Sequence, residues 1–211
     1  MLAALRPLLP RGAAAAWADP RRDHGQWAGE QLNTAVAKRR CEFSAGRAAA
    51  RQAMADLSLA PCSIPQGGDR APIWPAGVTG SISHSESDCL AVVWPVERRG
   101  IGIDLEPATP LESDLWPIIL RPEEREDLRQ ADDPALQAKR IFTIKEAVYK
   151  AQYPLSRQLF GFDAISVTLM ADQAGRFSAR FCQQALPFRQ GDILTGYHLE
   201  VDGQLLALCH T

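Results

Sequence analysis

The chain has 211 residues and carries 23 Lys and Arg against 25 Asp and Glu, a net charge of −2, which excludes a polycation built for nucleic acid and a strongly acidic tail. With 46% hydrophobic and 23% charged residues it has the composition of an ordinary globular protein, long enough for one large domain or two of roughly 100 residues each. Its longest apolar stretches are broken by Arg, Pro, Asp or Gly before the ~20 residues needed to cross a bilayer, so no membrane span is expected.

Met1 to Trp17 is apolar enough to raise the question of a secretion signal, but Arg6, Pro7, Pro10 and Arg11 interrupt its centre and argue against one. Gln26 to Leu57 is rich in Ala, Gln, Arg and Leu and free of proline, which predicts one long helix or two abutting ones, with Gly46 as the weak point. From Ala60 to Gly80 eight Pro and Gly residues follow, a density that predicts a long loop. Cys89 to Trp94 and Gly100 to Leu105 read as two strands joined by Pro95 to Arg99. Pro122, followed by Glu123 and Glu124, marks a helix start, as does Asp133 before Pro134, and this second helix is expected to reach about Ala151 and stop before Pro154. Ile165, Val167 and Leu169 alternate as in a strand, and Asp202 and Gly203 separate the two strand-like runs of a hairpin, Tyr197 to Val201 and Gln204 to Cys209. The order helix, loop, strands, repeated once, predicts an α+β protein of two similar halves.

Five scattered cysteines, Cys41, Cys62, Cys89, Cys182 and Cys209, show no two-residue spacing of the zinc or redox kind and read as reduced thiols of a cytosolic protein. Asp104 and Glu106 lie two apart on a predicted strand, so both carboxylates share a face, either as a solvated edge or as half of an oxygen-ligand site for a hard cation such as Mg²⁺. Glu146 and Lys150 are four apart on the second helix, and Phe142 and Tyr149 flank them. Either they form a surface ion pair, or this face is buried and Glu146 supplies a third oxygen ligand beside a cation able to hold phosphate or assist proton transfer. Lys145 next to them is open between contacting a partner and solvation. Gly80 to Ser85 reads Gly-Ser-Ile-Ser-His-Ser, and its hydroxyls and imidazole suit phosphate oxygens. Ser83 and His84 point to opposite faces of a strand, which favours ligand binding over a Ser–His nucleophile, with His84 open between ligand and structural roles. Arg40, Arg47 and Arg51, at spacings of seven and four in a run that begins with Lys38 and Arg39, share a helix face suited to an anion, with only Glu42 to neutralise it. His24, His198 and His210 have no partner at a ligand spacing.

In this order the motifs resemble the 4′-phosphopantetheinyl transferases of the surfactin-synthetase type, above all the branch serving enterobactin synthesis. Gly100 to Glu106, reading Gly-Ile-Gly-Ile-Asp-Leu-Glu, is similar to the family's metal motif, and Phe142 to Lys150, reading Phe-Thr-Ile-Lys-Glu-Ala-Val-Tyr-Lys, to its second signature. Ile73 to Ser85, with Trp74, Pro75, Gly80, Ser81, Ser83 and His84, is similar to the branch's upstream motif, and Lys38 to Ala50, with Gly46 and Arg47, to its basic helix. The resemblance covers roughly residues 38 to 150 and departs at Arg70-Ala71-Pro72, where a Gly-Lys-Pro run is common, and at Phe142, where Trp is common.

It implies two α/β halves related by a pseudo-twofold, 1–103 and 104–211, with coenzyme A bound between them. It further implies Asp104, Glu106 and Glu146 as Mg²⁺ ligands, His84 and Lys150 on the phosphates, Arg40, Arg47 and Arg70 on the 3′-phosphate and adenosine, and Ser83 as an added contact. The implied reaction is attack by a serine hydroxyl of an apo acyl, peptidyl or aryl carrier protein on the β-phosphate of coenzyme A, releasing adenosine 3′,5′-bisphosphate. Glu146 or a metal-bound water would take the serine proton, and Glu146 and Lys150 would be the catalytic pair. A cytoplasmic monomer is expected, because the cleft lies within one chain. A Mg²⁺-dependent coenzyme A hydrolase and a non-catalytic carrier-binding module are the rival readings.

Overall fold

The computed structural model describes residues 1–32, 35–170 and 175–211. The α+β expectation holds. Five helices, α1 (Leu2–Leu5), α2 (Ala37–Asp56), α3 (Trp116–Ile119), α4 (Pro122–Asp127) and α5 (Pro134–Ser156), accompany eight strands among the described residues. The strands are β1 (Ala14–Ala18), β2 (Thr79–His84), β3 (Cys89–Trp94), β4 (Ile101–Pro107), β5 (Ile165–Leu169), β6 (Arg176–Phe181), β7 (Ile193–Val201) and β8 (Gln204–His210). They form an antiparallel three-stranded sheet, β1-β3-β2, and an antiparallel five-stranded sheet, β4-β8-β7-β6-β5. One long helix lies on each sheet, α2 on the first and α5 on the second, which gives the two halves their likeness. Residues 101–103 belong to the same strand, and the same sheet, as Asp104.

Strand alternation distributes the core. On β3, Cys89, Ala91 and Val93 face α2 with Ala45, Ala49 and Ala53, whereas Leu90 and Val92 face the other way. There they meet Ile101, Ile103 and Leu105 of β4 and Leu206 and Leu208 of β8, so the two sheets share a central apolar layer. Leu5 of α1 is fully buried in that layer and β1 completes the first sheet, so the opening segment, examined above as a possible signal, is part of the core. A third cluster, with Ile141, Ile144 and Val148 of α5 and Phe177 and Phe181 of β6, fills the space beneath α5.

The other face of β4 explains its glycines. A Cβ on Gly102 would lie 1.9 Å from the Ala147 carbonyl oxygen, and one on Gly100 1.7 Å from that of Ala151. Two glycines at period two opposite two alanines at period four therefore let α5 touch the strand backbone, and the next residues on that face are Asp104 and Glu106.

Three expectations change. The predicted helix over 26–57 begins only at Ala37, because side chains satisfy the preceding backbone: Glu30 Oε2 accepts from the Trp27 amide at 3.0 Å and Gln31 Nε2 donates to its carbonyl at 3.0 Å. Residues 33 and 34 of that stretch lie outside the described residues. Gly46 is no break, since it lets α2 approach Ile82 of β2. The second helix passes Pro154 and ends at Ser156, capped by Arg157 in the left-handed region, because a proline in the last turn forfeits one amide bond only. The tail hairpin is as expected, with Asp202 and Gly203 both at positive φ in its two-residue turn.

Gly102→Ala is expected to lower unfolding free energy in urea by about 3 kcal/mol or more, through the helix–strand clash, whereas Gly68→Ala, facing open space, stays within about 0.5 kcal/mol of the wild type. Equal midpoints for the two variants would contradict the close approach.

Candidate functional site

The two sheets meet along β2 and β4 through side chains. Ser81 Oγ accepts from the Ile103 amide at 3.0 Å, and Ser83 Oγ from the Leu105 amide at 3.2 Å. Two hydroxyls at period two on β2 thus take the place of a backbone ladder. Ser83 Oγ also donates to Asp104 Oδ1 at 2.8 Å and accepts from Lys150 Nζ at 3.1 Å. One donor and two lone pairs are thereby used up, so the hydroxyl expected on a phosphate holds the seam and Asp104 instead.

Lys150 Nζ reaches Asp104 Oδ1 at 2.7 Å and the Ile103 carbonyl at 3.3 Å. It pairs with Asp104, not with Glu146 as its helical spacing suggested. Three turns earlier on α5, Lys139 Nζ holds Glu106 Oε2. Asp104 and Glu106 therefore share the α5 face, as period two requires, and each is matched by a lysine. Asp104 Oδ2 is buried without any hydrogen-bond partner. Such an oxygen is costly unless a cation or a donor reaches it. Burial pushes the Glu146 carboxyl above the usual carboxylate range, and the charges of Asp104 and Glu106 push it further, with Lys150 opposing. Glu146 thus feels both of the other expected acids, although no group of three or more His, Cys, Asp or Glu among the described residues is already gathered as a metal cage.

Asp104, Glu106 and Lys150 border a cleft of about 300 Å³ whose lining also holds Arg39, Arg47, Arg70 and His84, whereas Glu146 is not part of that lining. Arg47 is the buried cation on its wall. Its guanidinium carbon lies 3.7 Å from the centre of the Phe43 ring, its Nε donates to the Ile64 carbonyl at 3.1 Å, and its Nη2 is buried with no partner. Burial lowers its pKa to about 10, which still leaves it charged at neutral pH. Arg70 also lines the cleft. Arg40 does not: its Nη1 turns back to the Ala35 carbonyl at 2.6 Å, and Arg39, the residue before it, lines the wall instead. Arg39 Nη1 lies 3.1 Å from His84 Nε2, with Glu42 3.8 Å from the same nitrogen. Burial chiefly lowers the His84 pKa, against the pull of Glu42. A second cavity of about 790 Å³ shares Arg70, Pro72, Ile82 and Lys150 with the cleft and adds Trp74, Tyr149 and Tyr153. The long loop predicted over 60–80 lies between them and supplies wall to both.

Lys145 is neither a partner contact nor solvated. Its side chain is 1% exposed, and its three protons go to Glu124 Oε2 at 2.7 Å, the Ile119 carbonyl at 2.8 Å and the Phe162 carbonyl at 3.0 Å. Glu124 in turn accepts from the Arg121 amide at 2.8 Å and the Val167 amide at 2.7 Å, so the pair ties α4, α5 and β5 together directly behind Glu146. Sequence reasoning missed it because Glu124 reads as a first-turn helix acid. Phe142, where the resemblance has Trp, keeps an aromatic contact with Phe162, their ring centres 5.6 Å apart. The five thiols are free, and burial raises those of Cys89 and Cys209 to about 12, which makes them inert packing groups.

Removing one partner of a buried pair leaves a charge uncompensated, so Lys145→Ala should cost about 3–5 kcal/mol in urea unfolding. An unchanged midpoint would place Lys145 outside the core network.

The sequence is similar to those of known proteins. A family model described as the 4′-phosphopantetheinyl transferase N-terminal domain matches residues 28–94, and one described as the 4′-phosphopantetheinyl transferase superfamily matches residues 100–209. The chain is 38% identical over 153 residues to 4′-phosphopantetheinyl transferase PptT of Mycobacterium tuberculosis, covering 72% of this chain and 67% of that protein. It is 39% identical over 134 residues to the transferase Npt of Nocardia iowensis, 63% and 60% of the two chains, and 36% identical over 143 residues to enterobactin synthase component D of Salmonella typhi, 66% and 58%. The matched stretch thus spans about three fifths to two thirds of these relatives. The Gly-Ile-Gly-Ile-Asp-Leu-Glu strand and the helix laid against it fall within a family match that spans more than half of the sequence, and by that measure the chain belongs to the 4′-phosphopantetheinyl transferase superfamily.

Proposed function

We propose that this chain is a holo-carrier-protein synthase, which moves phosphopantetheine from coenzyme A to a serine of an apo acyl, peptidyl or aryl carrier protein and releases adenosine 3′,5′-bisphosphate. The observation that carries the reading is one cleft at the seam of the two halves with acids on one wall and a partly unsatisfied buried arginine on the other. A pyrophosphate ligand needs cations for its charge, and an adenosine 3′-phosphate needs a separate anion site, which Arg47 and Arg70 supply.

The donor set fits Mg²⁺: the acids offer only oxygen, and the orphaned Asp104 Oδ2 is the kind of atom a hard cation satisfies. Asp104, Glu106 and Glu146 would hold the ion, which supplies charge stabilisation on the transferring phosphoryl group. Lys150 gives its three protons to Ser83 Oγ, the Ile103 carbonyl and Asp104 Oδ1, so it would act on the phosphates through its charge, and His84 in the same cleft lining would supply a contact. The serine proton would pass to Glu146 or to water as the serine oxygen bonds the β-phosphorus and the bond to the bisphosphate leaving group breaks.

The relatives named for enterobactin synthesis make a siderophore or peptide-synthetase carrier the first to try. No helix among the described residues is long and apolar enough to cross a membrane, and free thiols with coenzyme A as donor suit a cytoplasmic enzyme acting as a monomer. Intact-mass spectrometry of such a carrier, incubated with this protein, coenzyme A and Mg²⁺, is expected to show a gain of about 340 Da that EDTA or Asp104→Ala abolishes. Loss of coenzyme A without any gain in carrier mass would indicate a hydrolase, and no turnover at all a binding module.

A further inference from the structure

Glu30 is a buried acid that the proposed chemistry does not use, 1% exposed and standing in the extended segment ahead of α2. Both of its oxygens accept from Arg51 Nη1, at 2.7 and 2.9 Å. Oε2 also accepts from the Trp27 amide at 3.0 Å, and Oε1 from the Ile64 amide at 2.8 Å. The Arg51 guanidinium lies over the Trp27 ring, 4.4 Å from its centre. The pair therefore clamps two chain segments, 27–30 and 64, onto α2.

Ile64 is held at both ends. Its amide goes to Glu30, its side chain is fully buried against α2, and its carbonyl receives Arg47 Nε. Arg47 is one turn of α2 before Arg51, and its guanidinium rests on the Phe43 ring, lines the cleft and feels the charges of Glu30, Arg39 and Arg51. With Nε committed to Ile64, the buried Nη2 is left without a protein partner. Where the Ile64 carbonyl sits thus decides how the fork of donors is presented to an anion, and Glu30 decides where Ile64 sits.

We propose that the Glu30–Arg51 pair positions Arg47 through Ile64 and thereby sets the cleft's selectivity for a ligand bearing a 3′-phosphate. This rests on the reading of the cleft as a coenzyme A site. Glu30 and Arg51 are positioning residues that touch no ligand themselves. Weakening the pair is expected to affect the 3′-phosphate contact selectively and to spare the rest of the ligand.

The test is calorimetric titration of the full chain, with Mg²⁺ present, against coenzyme A and against 3′-dephospho-coenzyme A. The ratio of the two dissociation constants is the readout, because a partly unfolded sample affects both titrations alike. Wild-type protein should favour coenzyme A by about tenfold or more, the scale of one charge-assisted contact. Arg47→Ala should lower the ratio to about twofold, the remainder being the contribution of Arg70. Glu30→Gln should reduce it to within about threefold, with little change in affinity for the dephospho form. Arg51→Lys, which keeps a cation in the pocket, should do the same and serves where Glu30→Gln does not fold. If Arg47→Ala lowers the preference while both pair variants keep it, the positioning role is overturned and the pair is a structural clamp alone. If Arg47→Ala keeps the preference, the 3′-phosphate assignment of Arg47 falls, and the positioning proposal with it.

Discussion

Two hydroxyls hold the halves of this protein together at the place where its chemistry is proposed to occur. Had β2 and β4 paired by backbone hydrogen bonds, the two sheets would have merged into one, leaving no room for a lysine between the strands. Because Ser81 and Ser83 instead offer side-chain oxygens to the Ile103 and Leu105 amides, the seam stays one side chain wide. Lys150 enters it from α5, and Asp104 is fixed by Ser83 and Lys150 together. A buried carboxylate is tolerated only when it is paired and hydrogen-bonded, and here both conditions are met at Oδ1 while Oδ2 is kept in reserve.

That arrangement depends on how closely α5 lies on β4. Gly100 and Gly102 face the helix so tightly that no side chain fits at either position, and Asp104 and Glu106 continue the same face where the helix begins to diverge. Lys139 and Lys150, three turns apart on α5, then stand opposite Glu106 and Asp104. The Lys145–Glu124 pair secures the far side of the helix against α4 and β5. The helix presents acid-matching lysines on one side and a buried structural lysine on the other, with Glu146 between them in sequence. Precise placement of this kind is what phosphoryl transfer asks of a protein, since positioning and electrostatics supply most of its catalysis.

Much of this was legible in the sequence where local periodicity carries it. The shared face of Asp104 and Glu106, the N-cap at Asp133, the hairpin at Asp202-Gly203 and the α+β order all follow from spacings of two, three or four residues. What stayed hidden depends on partners far apart in the chain. Helix propensity over 26–32 was overridden by Glu30, whose partners at Arg51 and Ile64 are 21 and 34 residues away. Lys145 looked like a surface charge until Glu124 was brought against it from 21 residues upstream. Ser83 carried the chemistry of a phosphate ligand in its residue type, and only the fold shows that its hydrogen-bonding capacity is already taken. The apolar opening segment gave no alternation clear enough to reveal β1, because its alanines suit strand and helix alike.

The central claim is that Asp104, poised by Ser83 and Lys150, couples coenzyme A binding to a divalent cation. Its most direct test is the affinity for coenzyme A, measured by calorimetry with and without Mg²⁺, in wild-type protein and in Asp104→Asn, which keeps the side-chain shape and a hydrogen-bond acceptor while removing the charge. The account predicts that Mg²⁺ tightens binding to the wild type by about tenfold or more and leaves the variant nearly unchanged. An undiminished Mg²⁺ effect in Asp104→Asn would contradict it.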